Sequence, residues 1–543
     1  MSRRLWLSAT ALALGTTLLV AAAFAGAASS KPAKPTKGGT MKVNFSASDV
    51  DFSDPSLAYG VQSWQIEYST ALKLYNYPDK AAPEGGKIQP EAATGFPVIS
   101  KDGKTYKITV KSGFKFSDGK PVTAANFVFA INRALNPAMQ SPAAPFISDI
   151  VGAQAVIDNK AKTASGVTTK GNTITIKLTQ PDGGLLAKLG MPFFQAIETN
   201  MPTDPKGVPA YPSAGPYYIA SRDVGRQIVL KTNTFYKGSR PHNVDTFIIT
   251  VNTNLDQSLL QVKSNQVDYD MGGLPPSAHA DLAATYGINK GQYQVHPLVE
   301  TDYLALNTTA GRAFSNVALR KAANFAIDRP AMLRVRGAFA GKRTDQILPP
   351  GMGGFRDVKI YPIKGSDYAK AKSLAGSKCG KVTLITSTST IGQNQGQVIK
   401  YNLTQMGCDV TVRLFQGFQL YVFAGQKGAD YDAAIAGWNQ DYPDPYDFLN
   451  VLLSGDFIHE NNNNNLAYFS VPAINKKLDA ANRLSGEQRY KAYGDLDIEI
   501  TKNYAPWAAW DNRNDREFVA KRVKGYLFQP ANASADLNTF SIS

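Results

Sequence analysis

Few residues of this 543-residue chain stand in a spacing that does chemistry unaided. His242, His279, His296 and His459 are scattered with no i, i+4 pair, so the two-histidine helical metal motif is missing and each histidine reads as a surface or packing residue. Asp441 and Asp444 are a carboxylate pair of the kind glycoside hydrolysis uses. With 43 Asp and Glu in the chain, that spacing carries almost no specificity. GAFAGKRT (337–344) ends like a phosphate loop, but three residues separate its glycines where four are required, and it follows a helix-like segment. It reads as a turn. Neither a G-x-S-x-G nucleophile elbow nor an H-E-x-x-H zinc motif occurs. Cys379 and Cys408 are too few for a four-cysteine zinc site; they form one disulfide or remain two buried apolar residues, and both readings stand. The expectation is no enzyme, no cofactor and no metal.

The elements that would position a site are legible in pieces. KTYKITV (104–110) and NTITIKL (172–178) alternate polar and apolar residues at period two, as half-buried strands do. QIVLKTN, VDTFIITVN and DYLALNT are short, β-branched or aromatic, and bounded by turn residues. Thr123 is placed to cap a helix carrying Phe127, Phe129, Ile131 and Leu135, which should stop at Asn136-Pro137. ALRKAANFAIDRPAMLRVR predicts a helix with a break or cap at Asp328–Pro330. KVTLITST, IGQNQGQVIKYNLTQMG and DVTVRLF give strand, helix, strand, the order of an α/β unit. A chain this long forms several lobes, and at 43% hydrophobic and 19% charged residues it folds. The formal charge of +15 includes no run of five like charges and no nucleic-acid motif, so it reads as a basic surface with no nucleic-acid partner.

Residues 1–27 carry Arg3 and Arg4, an uncharged apolar run, and Ala25 and Ala27 at a plausible cleavage site, which predicts an export signal and an extracytoplasmic protein. SRRLWL also loosely matches a twin-arginine signal. The competing reading is an uncleaved membrane anchor, since Leu5–Ala27 is long enough to span a bilayer. No cysteine follows the apolar run, so a lipid-anchored form is not expected.

GWNQDYPDPYDFLNVLL (437–453) resembles the signature region of bacterial extracellular solute-binding proteins of the peptide/nickel class (family 5), the capture components of ABC importers. FKFSDGKPVTAANFVFAINRAL (114–135), SAGPYYI (213–219), DYLALNT (302–308) with FSNVALRKAANFAIDR (314–329), ILPPG (347–351) and NNNNNLAYFS (461–470) resemble further family segments in the same order. The resemblance implies an α/β, two-lobe periplasmic-binding-protein-like fold with a hinge. Beyond a signal peptide (1–27) and tether (28–40), it implies lobe I from 41–72, 196–295 and 511–543, an extra domain at 73–195 inserted in lobe I, and lobe II at 296–510. A ligand would lie between the lobes, buried by hinge closure.

In peptide-binding members, an acid at the position matching Asp441 holds the ligand's α-ammonium group. A closing cleft strips water from a cation, and one carboxylate offsets that loss. The alternative is that Asp441 only caps a turn of the Tyr442-Pro443-Asp444-Pro445 run. Trp438 and Tyr442 could supply flat apolar cleft surface, with core packing the competing role for Trp438. Trp64, Tyr303 and Asn307 are further contact candidates. Asp444 and Asp447 are assigned to turn and helix-start roles, and Asp118-Gly119 and Thr123 to structure. The implied function is capture of a small oligopeptide and delivery to membrane permease subunits, by a monomer. An oligosaccharide or other small metabolite is the alternative ligand. Bare nickel is disfavoured for want of a histidine cluster. A secreted hydrolase, or a binding protein that serves a sensor, are the other classes.

Overall fold

The computed structural model describes residues 36–46, 49–376 and 379–543; the expected signal segment and residues 28–35 of the tether lie outside the described residues. Three sheets organise the chain. In the first, Met41, Val43 and Phe45 of strand Thr40–Ser46 face the core beside Phe247, Ile249 and Val251 of Thr246–Thr253. The strand order is Tyr269–Asp270, Thr40–Ser46, Thr246–Thr253, Gln227–Thr232, Tyr217–Asp223, with the first three parallel to one another and the last two antiparallel to their neighbours. One face of these strands packs into a shared core.

A smaller antiparallel sheet joins Val98–Ile99, Thr105–Thr109, Thr173–Lys177 and Val167–Lys170. The helix Ala124–Leu135 packs on it through Phe127, Ile131 and Leu135. Thr123 and Asn126 form its capping box, and the helix ends at Asn136 before Pro137, as predicted. Its Arg133 is buried and forks onto Asp54 at 2.6 and 2.7 Å, which ties this region to the Asp54-Pro55 turn of the first.

The third sheet runs in the order Tyr293–Pro297, Trp507–Phe518, Glu300–Leu306, Ala433–Asn439, Lys381–Ser387, Asp409–Phe415, with Gly341–Arg343 added beside Trp507–Phe518. Lys381–Ser387 and Asp409–Phe415 are parallel and joined by helix Thr390–Gln405, which is the predicted α/β unit. Asp328 caps the second of two successive helices, Val317–Ala326 and Arg329–Val335. Cys379 and Cys408 are disulfide-bonded at the base of this unit, which settles the choice the sequence left open. Among the described residues, no helix is long and apolar enough to cross a membrane.

Two strands pass between the first and third sheets. Tyr293–Pro297 pairs antiparallel with Asn514–Phe518, and the far end of this ribbon enters the first core through Tyr293, Phe518 and Val519. The expected divisions at 295/296 and 510/511 both fall inside these strands. Strand Trp507–Phe518 was not foreseen from the sequence.

Candidate ligand-binding cleft

The segment after strand Ala433–Asn439 turns sharply before helix Tyr446–Leu453, and two aspartates, Asp444 and Asp447, hold that turn. Asp447, in the first helical turn, accepts the backbone N–H of Asp441 at 2.8 Å and the indole N–H of Trp438 at 3.2 Å. It is therefore a positioning residue for the loop as well as a helix-start acid. Asp444 accepts the N–H of Tyr446 and forks with buried Arg489 at 2.8 and 3.0 Å, a structural ion pair. Among the described residues Asp441 pairs with no cation: its Oδ2 accepts the hydroxyl of Tyr59, at 2.6 Å, from the opposite side of a cavity, and its carboxyl also meets that of Asp447.

That cavity, of ≈ 560 Å³, lies between Tyr59, Trp64, Gln65, Met271 and Asn532–Ser534 on one side and Glu300, Asp302, Tyr421 and Trp438–Asp441 on the other. A second cavity of ≈ 370 Å³ is more apolar, with Phe52, Leu57, Tyr303, Val422 and Leu466 in its wall. Tyr59, Phe418, Tyr421, Trp438 and Asn464 line both and form the neck between them. Tyr59 stands edge-on to Trp438 at 5.9 Å between ring centroids and contacts Trp64 at 5.6 Å. Besides Tyr59–Asp441, Gln440 bonds the carbonyl of Pro530 at 3.0 Å, so hydrogen bonds join the two walls.

Burial without a cation pushes the Asp441 carboxyl up to about 7. The Asp447 carboxyl is raised well above the carboxylate range by burial, with Asp441 as the second cause. Such a pair is costly when empty and is relieved by an incoming positive group.

The other candidates separate. Trp438 lines both cavities, Asp441 and Trp64 line the larger one, and Tyr303 lines the smaller while stacking on Trp507 at 3.4 Å. Tyr442 does not face either cavity; it is fully buried and packs edge-on to Phe146, because at this turn its side chain is directed into the core. Asn307 lies in neither wall: its amide donates to the carbonyl of Tyr431 and its Oδ1 accepts the N–H of Thr309, closing a strand end.

Sequence reasoning missed Tyr59 and a charged wall. Strand Trp507–Phe518 places Asp511, Arg513, Asp515 and Glu517 at alternate positions, hence on one face. Glu300 and Asp302 alternate likewise on the neighbouring strand, where Asp302 pairs in register with Gly437 and Asp511. A Cβ on Gly437 would sit 2.2 Å from Asp302 Oδ1 and 3.2 Å from Glu300 Oε1, so the missing side chain makes room for both carboxyl groups. Asp302 accepts from Arg336 at 2.5 Å, and Glu300 from Arg513. The period-two charge in DNRNDRE was the available signal. Among the described residues no cluster of His, Cys, Asp and Glu is arranged to hold a metal ion.

Residues 87–459 match the family described as "Bacterial extracellular solute-binding proteins, family 5 Middle". The periplasmic oligopeptide-binding protein OppA of Haemophilus influenzae is 26% identical over 517 residues, covering 87% of this chain and 88% of the relative. Among solved structures, clavulanic acid biosynthesis oligopeptide binding protein 2 superposes with a TM-score of 0.83 at 20% identity, covering 94% of this chain and 96% of that one. The Escherichia coli murein tripeptide binding protein MppA gives 0.78 at 23% identity, covering 94% and 99%; its unliganded open form, at the same identity and coverage, gives 0.65. The fold is thus the two-lobe α/β fold of periplasmic binding proteins, and the chain belongs to the family 5 bacterial extracellular solute-binding proteins.

Proposed function

We propose that this protein works outside the cytoplasmic membrane as the capture component of an ABC importer, closing its two lobes over a short peptide and delivering it to membrane permease subunits. The lobes are proposed as 41–72, 196–295 and 511–543 against 296–510, with 73–195 as the extra domain, and the paired strands Tyr293–Pro297 and Trp507–Phe518 as the hinge. Relatives named for oligopeptide binding in Haemophilus influenzae and Bacillus subtilis support the ligand class. The higher score against MppA than against its open form supports reading this conformation as closed.

The observation that carries the reading is Asp441: a buried carboxyl at a cavity wall, hydrogen-bonded across the cleft by Tyr59 and lacking any cation. A peptide α-ammonium supplies both the charge and the donors this site lacks. Trp438, Trp64 and Tyr303 supply aromatic surface that accepts varied side chains by area alone. A neutral oligosaccharide would use the aromatic faces but leave the carboxyl uncompensated.

Calorimetry with tetraalanine and N-acetyl-tetraalanine tests the reading, using protein unfolded and refolded to remove retained ligand. The free amine should bind and the acetylated peptide should bind at least about a hundredfold more weakly. Equal binding of the two, or binding of neither, overturns it.

A further inference from the structure

The amine anchor uses one end of the larger cavity, and the remainder of its wall is chemically one-sided. Five carboxyl groups, Glu300, Asp302, Asp441, Asp515 and Glu517, line it against two guanidinium groups, Arg336 and Arg513. Both guanidiniums are committed, Arg336 to Asp302 and Arg513 to Glu300 Oε1. Glu517 accepts the hydroxyls of Tyr269 and Tyr526. Besides the Nε–H groups of Arg336 and Arg513, what is left without a hydrogen-bond partner at this wall is mostly acceptors. Glu300 Oε2, Asp515 Oδ2 and Asn532 Oδ1 are buried at this wall with no hydrogen-bond partner, as is the Ser534 hydroxyl. Glu300, Asn532 and Ser534 are 2%, 6% and 5% exposed, so bulk water does not serve them.

The acceptors converge from both sides. Glu300 and Asp515 belong to the third sheet and the hinge ribbon, while Asn532 and Ser534 belong to the C-terminal segment on the first-sheet side. Gln65 Nε2 bonds both the carbonyl of Ala535 and the hydroxyl of Tyr269, and Tyr269 in turn bonds Glu517, so Ser534 is held beside the acidic strand. A wall of unmet acceptors with surplus negative charge matches a group that donates several hydrogen bonds, accepts none and is positive.

We infer that the region bounded by Glu300, Asp515, Asn532 and Ser534 is a second cation subsite, which takes the guanidinium or ammonium of a basic ligand side chain while Asp441 takes the α-ammonium. This deepens the peptide reading and rests on it. The protein then prefers peptides carrying Arg or Lys at one fixed distance from the amino terminus. Gly437, by leaving room for Glu300 and Asp302, is what keeps the carboxyls of this wall at the cavity surface.

The test is calorimetry with tetraalanine peptides in which each position after the first is replaced in turn by Arg, Lys or citrulline, a neutral isostere of Arg. At one position, Arg or Lys should bind at least about tenfold more tightly than citrulline. In Asp515→Asn the ratio of the Arg-peptide affinity to the citrulline-peptide affinity should shrink, because the substitution removes one carboxyl from this wall. Equal affinity for Arg, Lys and citrulline at every position, with the peptides binding, overturns the subsite and leaves the peptide reading standing; this wild-type comparison decides the matter even where the variant does not fold. Binding of none of the peptides removes both.

Discussion

Asp441→Asn separates affinity from stability more sharply than any other change in the cleft. Asparagine keeps the volume and an acceptor for the Tyr59 hydroxyl, and the backbone N–H of residue 441 still reaches Asp447. What disappears is one negative charge in a buried wall. Breaking a buried ion pair costs about 3–5 kcal/mol. Because the amide oxygen still accepts from an ammonium, the expected loss is smaller, about 2–4 kcal/mol, or roughly 30- to 1,000-fold in Kd. In the empty protein the sign reverses. Asp441 has no cation of its own there and opposes the carboxyl of Asp447, so Asn should raise the Tm of the ligand-free protein at pH 8. Calorimetry of wild type and Asp441→Asn with tetraalanine and its N-acetyl form closes a double-mutant cycle. The coupling between the carboxylate and the ammonium should exceed about 2 kcal/mol. A coupling within about 0.5 kcal/mol of zero would refute the argument, because the two groups would then act independently.

Three further outcomes follow from the same geometry. Affinity for tetraalanine should be highest near pH 7–8, fall as the pH drops from 7 towards 5, by at most about tenfold per unit, because the free Asp441 carboxyl, raised to about 7, must lose a proton before it pairs with an ammonium, and fall again above about pH 8 as the peptide's own α-ammonium loses its proton; calorimetry across that range reads both slopes. Asp444→Ala should leave the Arg489 guanidinium buried and uncompensated, costing about 3–5 kcal/mol in urea unfolding while the folded fraction binds peptide as wild type does, the opposite pattern to Asp441→Asn. Reducing the Cys379–Cys408 bridge, which closes a segment 29 residues in span, should destabilise the third sheet's α/β unit by about 3–4 kcal/mol in a denaturation curve run with and without reductant.

What was legible in the sequence is what local rules govern. Thr123 through Asn136-Pro137 declared a helix because its cap, its apolar face and its stop signal agree. The alternating strands declared themselves because one face is buried. Trp507–Phe518 did not, because the face that would be apolar in an ordinary strand carries buried Asp511 and, in the cavity wall, Arg513, Asp515 and Glu517. Tyr59 lies 382 residues from Asp441 in sequence, and no periodicity links a loop before the first helix to a turn near the end of the third sheet. Tyr442 and Asn307 line neither cavity for a related reason: the motif gave their place along the chain, but the direction of a side chain at a turn or strand end is decided by packing against Phe146 or by the carbonyl of Tyr431.

The hidden part of the site is also the part that works against folding. Burial raises the carboxyls of Asp441, Asp447, Asp511 and Asp515, and these groups contribute nothing to the empty protein that apolar residues of the same size would not contribute better. The offset comes from elsewhere in the chain: three cores of aliphatic and aromatic side chains, and the buried Arg133–Asp54 and Arg489–Asp444 pairs that fix the loops on either side of the cleft. Asp444, paired with Arg489, fixes this turn, while Asp441 on the same turn faces the cavity and accepts from the Tyr59 hydroxyl. Asp444 and Asp441, three residues apart on one turn, divide the work: the first holds the loop by meeting the Arg489 guanidinium, and the second, on the proposed reading, meets its charge in the ligand.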